Sequence, residues 1–232
     1  MSKLFVVTYA WGSKYGPEYV NRLAAGVQRH LKQPHQFVVI TDAIPERPLP
    51  GLCWLIPDQD RHLLRIPGCF ARLRLFDSAY QAMYFVDPSD RVVCLDLDLI
   101  VTGPLDPLFD RPEPFVIFAG ANASNPCPYN GSVFMLRAGS HPEIWRDFSL
   151  DAAAKVPFDS FPDDQAWFAA KLPDAATWRV GGSSGIFAFQ KPAWPGGDRL
   201  PLSARIVAFP GKRDPSQFTR LQWVRRHWLM QA

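Results

Sequence analysis

Over the first half of the chain, short apolar runs alternate with stretches whose apolar residues recur at helical spacing. "KLFVVTYA" is rich in β-branched and aromatic residues and predicts a strand. After a Gly/Ser turn and Pro17, residues Val20, Leu23, Ala24, Val27 and Leu31 share one face of a predicted helix. "QFVVIT", "GLCWLIP", "RVVCLDL" and "PFVIFAG" repeat the strand pattern. "GCFARLRLFDSAYQAM" predicts a helix with Phe70, Leu73, Phe76, Tyr80 and Met83 on one side. Such alternation predicts an α/β, Rossmann-like domain with a mostly parallel central sheet flanked by helices, and such sheets bind ligands beyond the carboxyl ends of their strands.

The second half is less regular. "SNPCPYNGSVFML" reads as a polar loop entering a strand, "FPDDQAWFAAKL" as a short helix, and "VGGSSGIFAF" and "ARIVAFPG" as loop and strand pieces. The Gly181–Gly185 stretch has no following helix and reads as a flexible loop rather than a phosphate cradle. In the tail "FTRLQWVRRHWLMQA", Leu221, Val224 and Trp228 fall at helical spacing among Arg220, Arg225 and Arg226. A basic aromatic segment over 219–230 either docks its tryptophans on the domain, the simpler reading, or touches an anionic membrane surface peripherally.

Composition narrows the partners. With 232 residues and 47% hydrophobic content, the chain can fill one large core. A net charge of +3 falls well short of the basic stripes of nucleic-acid binders, so no nucleic-acid partner is expected. The four cysteines form no C-x-x-C pair, which suits thiols in a reducing compartment. The opening apolar segment is too short for a secretory signal core, and no run reaches the length of a membrane span. A cytoplasmic location is the expectation.

The stretch "RVVCLDLDLIVTGPLDPLF" carries the chemistry. Asp96 and Asp98 end an apolar run, where an uncompensated carboxylate is costly. Two residues apart on an extended segment, they face the same way and can converge on one hard cation that shares its shell with a diphosphate.

At these residues the sequence resembles GT-A fold glycosyltransferases, particularly the retaining group that includes glycogenin and the bacterial lipopolysaccharide galactosyltransferases. "FARLRLFD", "VVCLDLDLIVTGPLDPLF", "YNGSVFML", "DDQAWF" and "IVAFPGKRDPS" occur in the family's order across most of the chain. The resemblance implies a single domain over 1–232, with a nucleotide-binding half at 1–118 and a donor/acceptor half at 119–232. It implies Asp96 and Asp98 as the metal and nucleotide-sugar pair, with Mn²⁺ or Mg²⁺ as cofactor. Arg72 would lie near the donor sugar, Asn130 at the donor sugar or the acceptor, Asp164 on sugar hydroxyls, Gln165 near the anomeric carbon and Lys212 at the departing diphosphate. Thr8, Tyr9, Leu97 and Gly211 complete the donor-binding set. The donor expected is a UDP-sugar, the acceptor a glycan, lipid or protein, and the lipopolysaccharide enzymes of the group act at the inner face of the membrane. Retention is implied as well; Gln165 is a poor nucleophile beside a carboxylate, so attack from the donor's own face is the more economical route.

There are departures. The family has a metal-binding histidine where this chain has Ala208, and neither His141 nor His227 is assigned in its place. The carboxylate that often follows the first strand is missing too; "VVTYAWGSKYG" offers Thr8, Tyr9 and Tyr15 instead, and a tyrosine can stack on a uracil ring. Two other classes compete. One is a haloacid-dehalogenase-type phosphatase using "DLD", although that motif usually follows a first strand. The other is a binding protein that keeps the fold without turnover, which the missing histidine favours.

Overall fold

The computed structural model describes residues 2–121, 126–157 and 163–230. Ser124 and Asn125 of the polar loop, Phe161 and Pro162 ahead of the short helix, and the last two tail residues lie outside the described residues.

The strands are β1 (Leu4–Ala10), β2 (Gln36–Thr41), β3 (Leu52–Leu55), β4 (Arg91–Leu95), β5 (Leu99–Val101), β6 (Phe115–Ala119), β7 (Tyr129–Arg137), β8 (Ala176–Trp178), β9 (Ile186–Ala188) and β10 (Ile206–Ala208). A seven-stranded sheet runs β3-β2-β1-β4-β7-β6-β8, and a small sheet runs β5-β10-β9. Strands β3, β2, β1 and β4 are mutually parallel, as is β6 with β8, while β7 is antiparallel to both its neighbours. The α/β architecture and mostly parallel sheet are as expected.

The helices are α1 (Pro17–His30), α2 (Ser78–Met83), α3 (Asp106–Phe109), α4 (Glu143–Arg146), α5 (Leu150–Ala153), α6 (Asp164–Lys171) and α7 (Gln222–Val224). Strand side chains alternate between the sheet's two faces. Leu4 and Val6 of β1 pack with Val20, Leu23 and Val27 of α1, whereas Phe5, Val7 and Tyr9 pack with Leu73, Phe76, Tyr80 and Phe168 on the opposite face. The expected helix over "GCFARLRLFDSAYQAM" is two pieces: a 3-10 helix at Phe70–Phe76 and then α2. Asp77 separates them by accepting a hydrogen bond from the Ala79 N–H, the work of an N-cap. The break changes the periodicity, and Met83, expected on the apolar face, is exposed.

The tail docks on the protein. Gln222–Val224 continues into a π-helix at Arg225–Leu229, and Leu221, Trp223, Val224 and Trp228 are buried against the small sheet's cluster. Trp228 meets Tyr19 edge-on at 5.3 Å, and the Arg22 guanidinium lies 4.0 Å from its ring centroid. The tryptophans are therefore packed into the protein, and no described helix is long and apolar enough to cross a membrane.

At the same seam the rings of His30 and His227 lie 6.3 Å apart. Burial, followed by the nearby charges of Arg226, His30 and Arg29, pushes His227 down to about 4; burial and Arg29 lower His30 as well. The unfolded chain, whose histidines titrate near 6.5, binds more protons than the folded one between these values, so stability falls as pH drops through that window. Asp98 and Asp164, whose carboxyls burial raises, act in the opposite sense over the same range, so the readout in thermal denaturation is the difference between variants: from pH 6.5 to pH 4 the wild type should lose melting temperature relative to His227→Gln. A melting-temperature difference between wild type and His227→Gln that does not change over the interval contradicts the assignment.

Candidate active site

The parallel register of β1 and β4 pairs Val7 with Cys94, so Tyr9 and Asp96 stand at matching points where the two strands end. β4 stops at Leu95, and Asp96-Leu97-Asp98 forms the turn into β5 rather than the extended segment the spacing suggests. Leu97 is buried in the α1-side core, anchoring the turn. Both aspartates nevertheless border one cavity of about 200 Å³, together with Tyr9, Trp11, Lys14, Tyr15, Cys69, Arg72 and Leu97.

Arg72 is the hub. It sits on the 3-10 helix, 5% exposed, and its Nη1 donates to Asp96 Oδ1 at 2.6 Å and to the Gly131 carbonyl at 2.8 Å. Its Nη2 is 2.6 Å from Asp164 Oδ2, on the first turn of α6. Burial alone would lower the guanidinium's pKa, but the charges of Asp164 and Asp96 raise it well above the ordinary value, so Arg72 remains a cation. Burial raises the Asp164 carboxyl, and Arg72 opposes that shift. Gly131 makes room for the pair: a Cβ there would lie 2.7 Å from Arg72 Nη2.

The remaining partners come from β7 and α6. The Gly131 N–H donates to Gln165 Oε1 at 3.1 Å, the Ser132 N–H to Asn130 Oδ1 at 2.9 Å, and the Asp96 N–H to the Ser132 carbonyl at 3.0 Å. Asn130 and Gly131 thus belong to strand β7. A second cavity of about 370 Å³ shares Cys69, Arg72 and Asp96 with the first and reaches Asn130, Asp164 and Gln165; a smaller pocket continues past Asn130 and Gln165 to Lys191 and Pro210. Shared walls make one groove along the strand ends.

Asp98 accepts a hydrogen bond from the Tyr15 hydroxyl at 2.8 Å. Burial, then the neighbouring Asp96 charge, pushes its carboxyl up to about 7. Burial and Asp98 together raise the Tyr15 phenol, which stays a donor. Desolvation pushes the Cys69 thiol up to about 12, so it is no thiolate nucleophile.

Other expected residues are placed differently. Tyr9 borders the groove, but its hydroxyl is turned to the Ala71 carbonyl at 3.3 Å. Thr8 faces neither cavity and is fully buried. Gly211, with φ +76°, and Lys212 lie on an exposed turn after β10 and do not border the groove. Trp11, Lys14 and Lys191 were not singled out in the sequence. The first two lie in the loop after the first parallel strand, a position that itself points to a ligand site.

The donor set can hold a hard divalent cation only as a shared site. Asp96 Oδ1 serves Arg72 and Asp98 Oδ2 serves Tyr15, leaving one oxygen of each carboxylate for a metal. Among the described residues no group of three His, Cys, Asp or Glu side chains is placed to bind a metal. Two carboxylate oxygens completed by diphosphate and water suit such a cation.

This architecture is the GT-A glycosyltransferase fold. The chain superposes on the galactosyltransferase LgtC, solved with donor and acceptor sugar analogues, with a TM-score of 0.60 at 15% identity, covering 94% of each chain. The apo-form glycosyltransferase GlyE of Streptococcus pneumoniae TIGR4 superposes with a TM-score of 0.62 at 17% identity, over 92% of this chain and 56% of GlyE. At such identities the likeness is one of fold. No family model matches the chain, and no curated protein matches it in sequence. The expected resemblance to GT-A proteins is borne out in the fold, and the phosphatase reading gains nothing from a "DLD" turn that follows the fourth strand.

Replacing Arg72 by Met strands the Asp96 and Asp164 carboxylates and should cost about 3–5 kcal/mol in urea denaturation. Gly131→Ala, by displacing Arg72, should cost about 1–3 kcal/mol. Wild-type stability in both variants contradicts the hub.

Proposed function

We propose that the protein is a glycosyltransferase that takes a nucleotide-diphosphate sugar, with a UDP-sugar as the first donor to test, and passes the sugar to an acceptor hydroxyl. The observation that carries this reading is the groove itself. It runs along the carboxyl ends of the strands in a GT-A fold, with the Asp96/Asp98 turn at one end and Asn130 and Gln165 further along.

Asp98, assisted by Asp96, would hold a divalent cation such as Mn²⁺ or Mg²⁺. When bound it would neutralise charge on the leaving diphosphate. Arg72 fixes Asp96 in place and ties it to Asp164, so the carboxylates of the turn and of α6 keep a constant separation while the donor binds. Tyr15 orients Asp98 through its hydroxyl, and its ring, which borders the first cavity, is a platform on which a base can stack. Asn130 and Gln165, held by the β7 backbone, are positioned for the sugar and its anomeric carbon. The Gln165 amide is bound through its oxygen to Gly131 and is a poor nucleophile, which favours attack by the acceptor from the donor's own face and hence retention.

A panel of UDP-sugars with and without Mn²⁺ tests the reading, with release of free UDP as the readout. Metal-dependent release is expected from at least one donor. Asp98→Asn should reduce it by about a hundredfold or more, because it removes a charged ligand from the shared site, with the melting temperature unchanged or higher, since it also relieves the repulsion from Asp96. Undiminished turnover in that variant removes Asp98 from the metal site. Nucleotide binding without turnover identifies instead a protein that has kept the fold and lost catalysis.

A further inference from the structure

A diphosphate in the first cavity needs cationic partners besides a metal, and the obvious ones are already engaged. Arg72 is buried and fixed by Asp96, Asp164 and the Gly131 carbonyl, so it cannot turn toward a ligand. Lys212 stands on an exposed turn outside the groove. The first turn of α1 is occupied by its own side chain: a Cβ on Gly16 would meet the Glu18 carboxylate at 2.3 Å, so the positive end of that helix already faces an acid.

Lys14 remains. It lies in the loop between β1 and α1 and borders the same cavity as Asp96 and Asp98. Its ammonium rests over the Tyr15 ring, 4.5 Å from the centroid, and makes no salt bridge with any described residue. Its charge nevertheless reaches Asp98, where it opposes the effects of burial and of Asp96. A lysine on a flexible four-carbon stem is a movable point charge suited to phosphate oxygens.

We propose that Lys14 is a diphosphate-binding residue of the donor site, delivered by the β1–α1 loop, which moves from the Tyr15 ring to the phosphate next to the Asp96/Asp98 turn. This deepens the nucleotide-sugar reading and rests on it. The charges account for the need: Arg72's one positive charge is shared between Asp96 and Asp164, so a diphosphate beside the Asp96/Asp98 turn meets an excess of negative charge. A divalent cation held by the two carboxylates would offset part of that excess, and Lys14 offsets more of it. Because negative charge on the leaving group grows as the glycosidic bond breaks, the same contact strengthens toward the transition state. A base that stacks on Tyr15 displaces the ammonium from the ring, so base docking and phosphate capture are coupled through one side chain.

The test is calorimetric titration of wild-type protein, Lys14→Met and Lys14→Arg with UDP and with UMP, in Mn²⁺, with melting temperature recorded for each. Lys14→Met should weaken UDP by about tenfold or more while weakening UMP less, so that the UDP-to-UMP affinity ratio collapses; Lys14→Arg should keep the ratio within about threefold of wild type. The melting temperature should not move. An unchanged ratio in Lys14→Met, or equal loss in Lys14→Met and Lys14→Arg, overturns the assignment while leaving the nucleotide-sugar reading intact. Failure of the wild-type protein to bind either nucleotide overturns that reading, and this proposal with it.

Discussion

A guanidinium buried among two carboxylates governs this protein. Arg72 joins the turn after β4, strand β7 and the start of α6; without it Asp164 would be buried without a counter-charge and the half-buried Asp96 would lose its partner. Desolvating an arginine is costly and is repaid only by good geometry with its partners. Paired on both sides of its fork, Arg72 holds three chain segments in one arrangement. Gly131 is the steric condition for this, since any side chain there would occupy the guanidinium's place.

That arrangement turns the end of a sheet into a groove. Parallel pairing brings the ends of β1 and β4 side by side, and the antiparallel β7 carries Asn130 and Gly131 up to the Arg72 guanidinium. Leu97 anchors the turn in the core, and the flanking carboxylates border the cavity. The β1–α1 loop adds the last wall through Trp11, Lys14 and Tyr15. Tyr15 of the loop and Tyr19 of α1 lie 4.9 Å apart and donate to Asp98 and Asp214, so the approach to one helix positions acids from two distant segments. The tail closes over the same helix through Trp228 and Arg22, which ties the groove's wall to the small sheet.

Much of this was legible in the sequence because it depends on local pattern. The apolar runs specified six of the seven strands of the main sheet, missing only the short edge strand β8, whose Ala-Thr-Trp carries no apolar run, and the 3.6-residue spacing after Pro17 specified α1. Asp96 and Asp98 stood out because acids at the end of an apolar run demand compensation. The break at Asp77 was not legible, since a capping side chain and a helical-face residue look alike until the backbone is known. Thr8 and Lys212 were drawn into the expected site by motif position. Their places, one in the core and one on an exposed turn, follow from strand parity and loop course.

The sequence by itself determined the α/β class, the main strands, the first helix and the acidic turn, because hydrophobic periodicity and the cost of burying charge act over a few residues. Only the tertiary structure decided which charges meet. Arg72 and Asp164 are distant in the chain, and their pairing depends on the packing of the 3-10 helix and α6 against β7. Lys14 is unremarkable in sequence and becomes the first cavity's movable cation only because a loop places it on the same wall as Asp96 and Asp98, where Arg72 is held by its own partners.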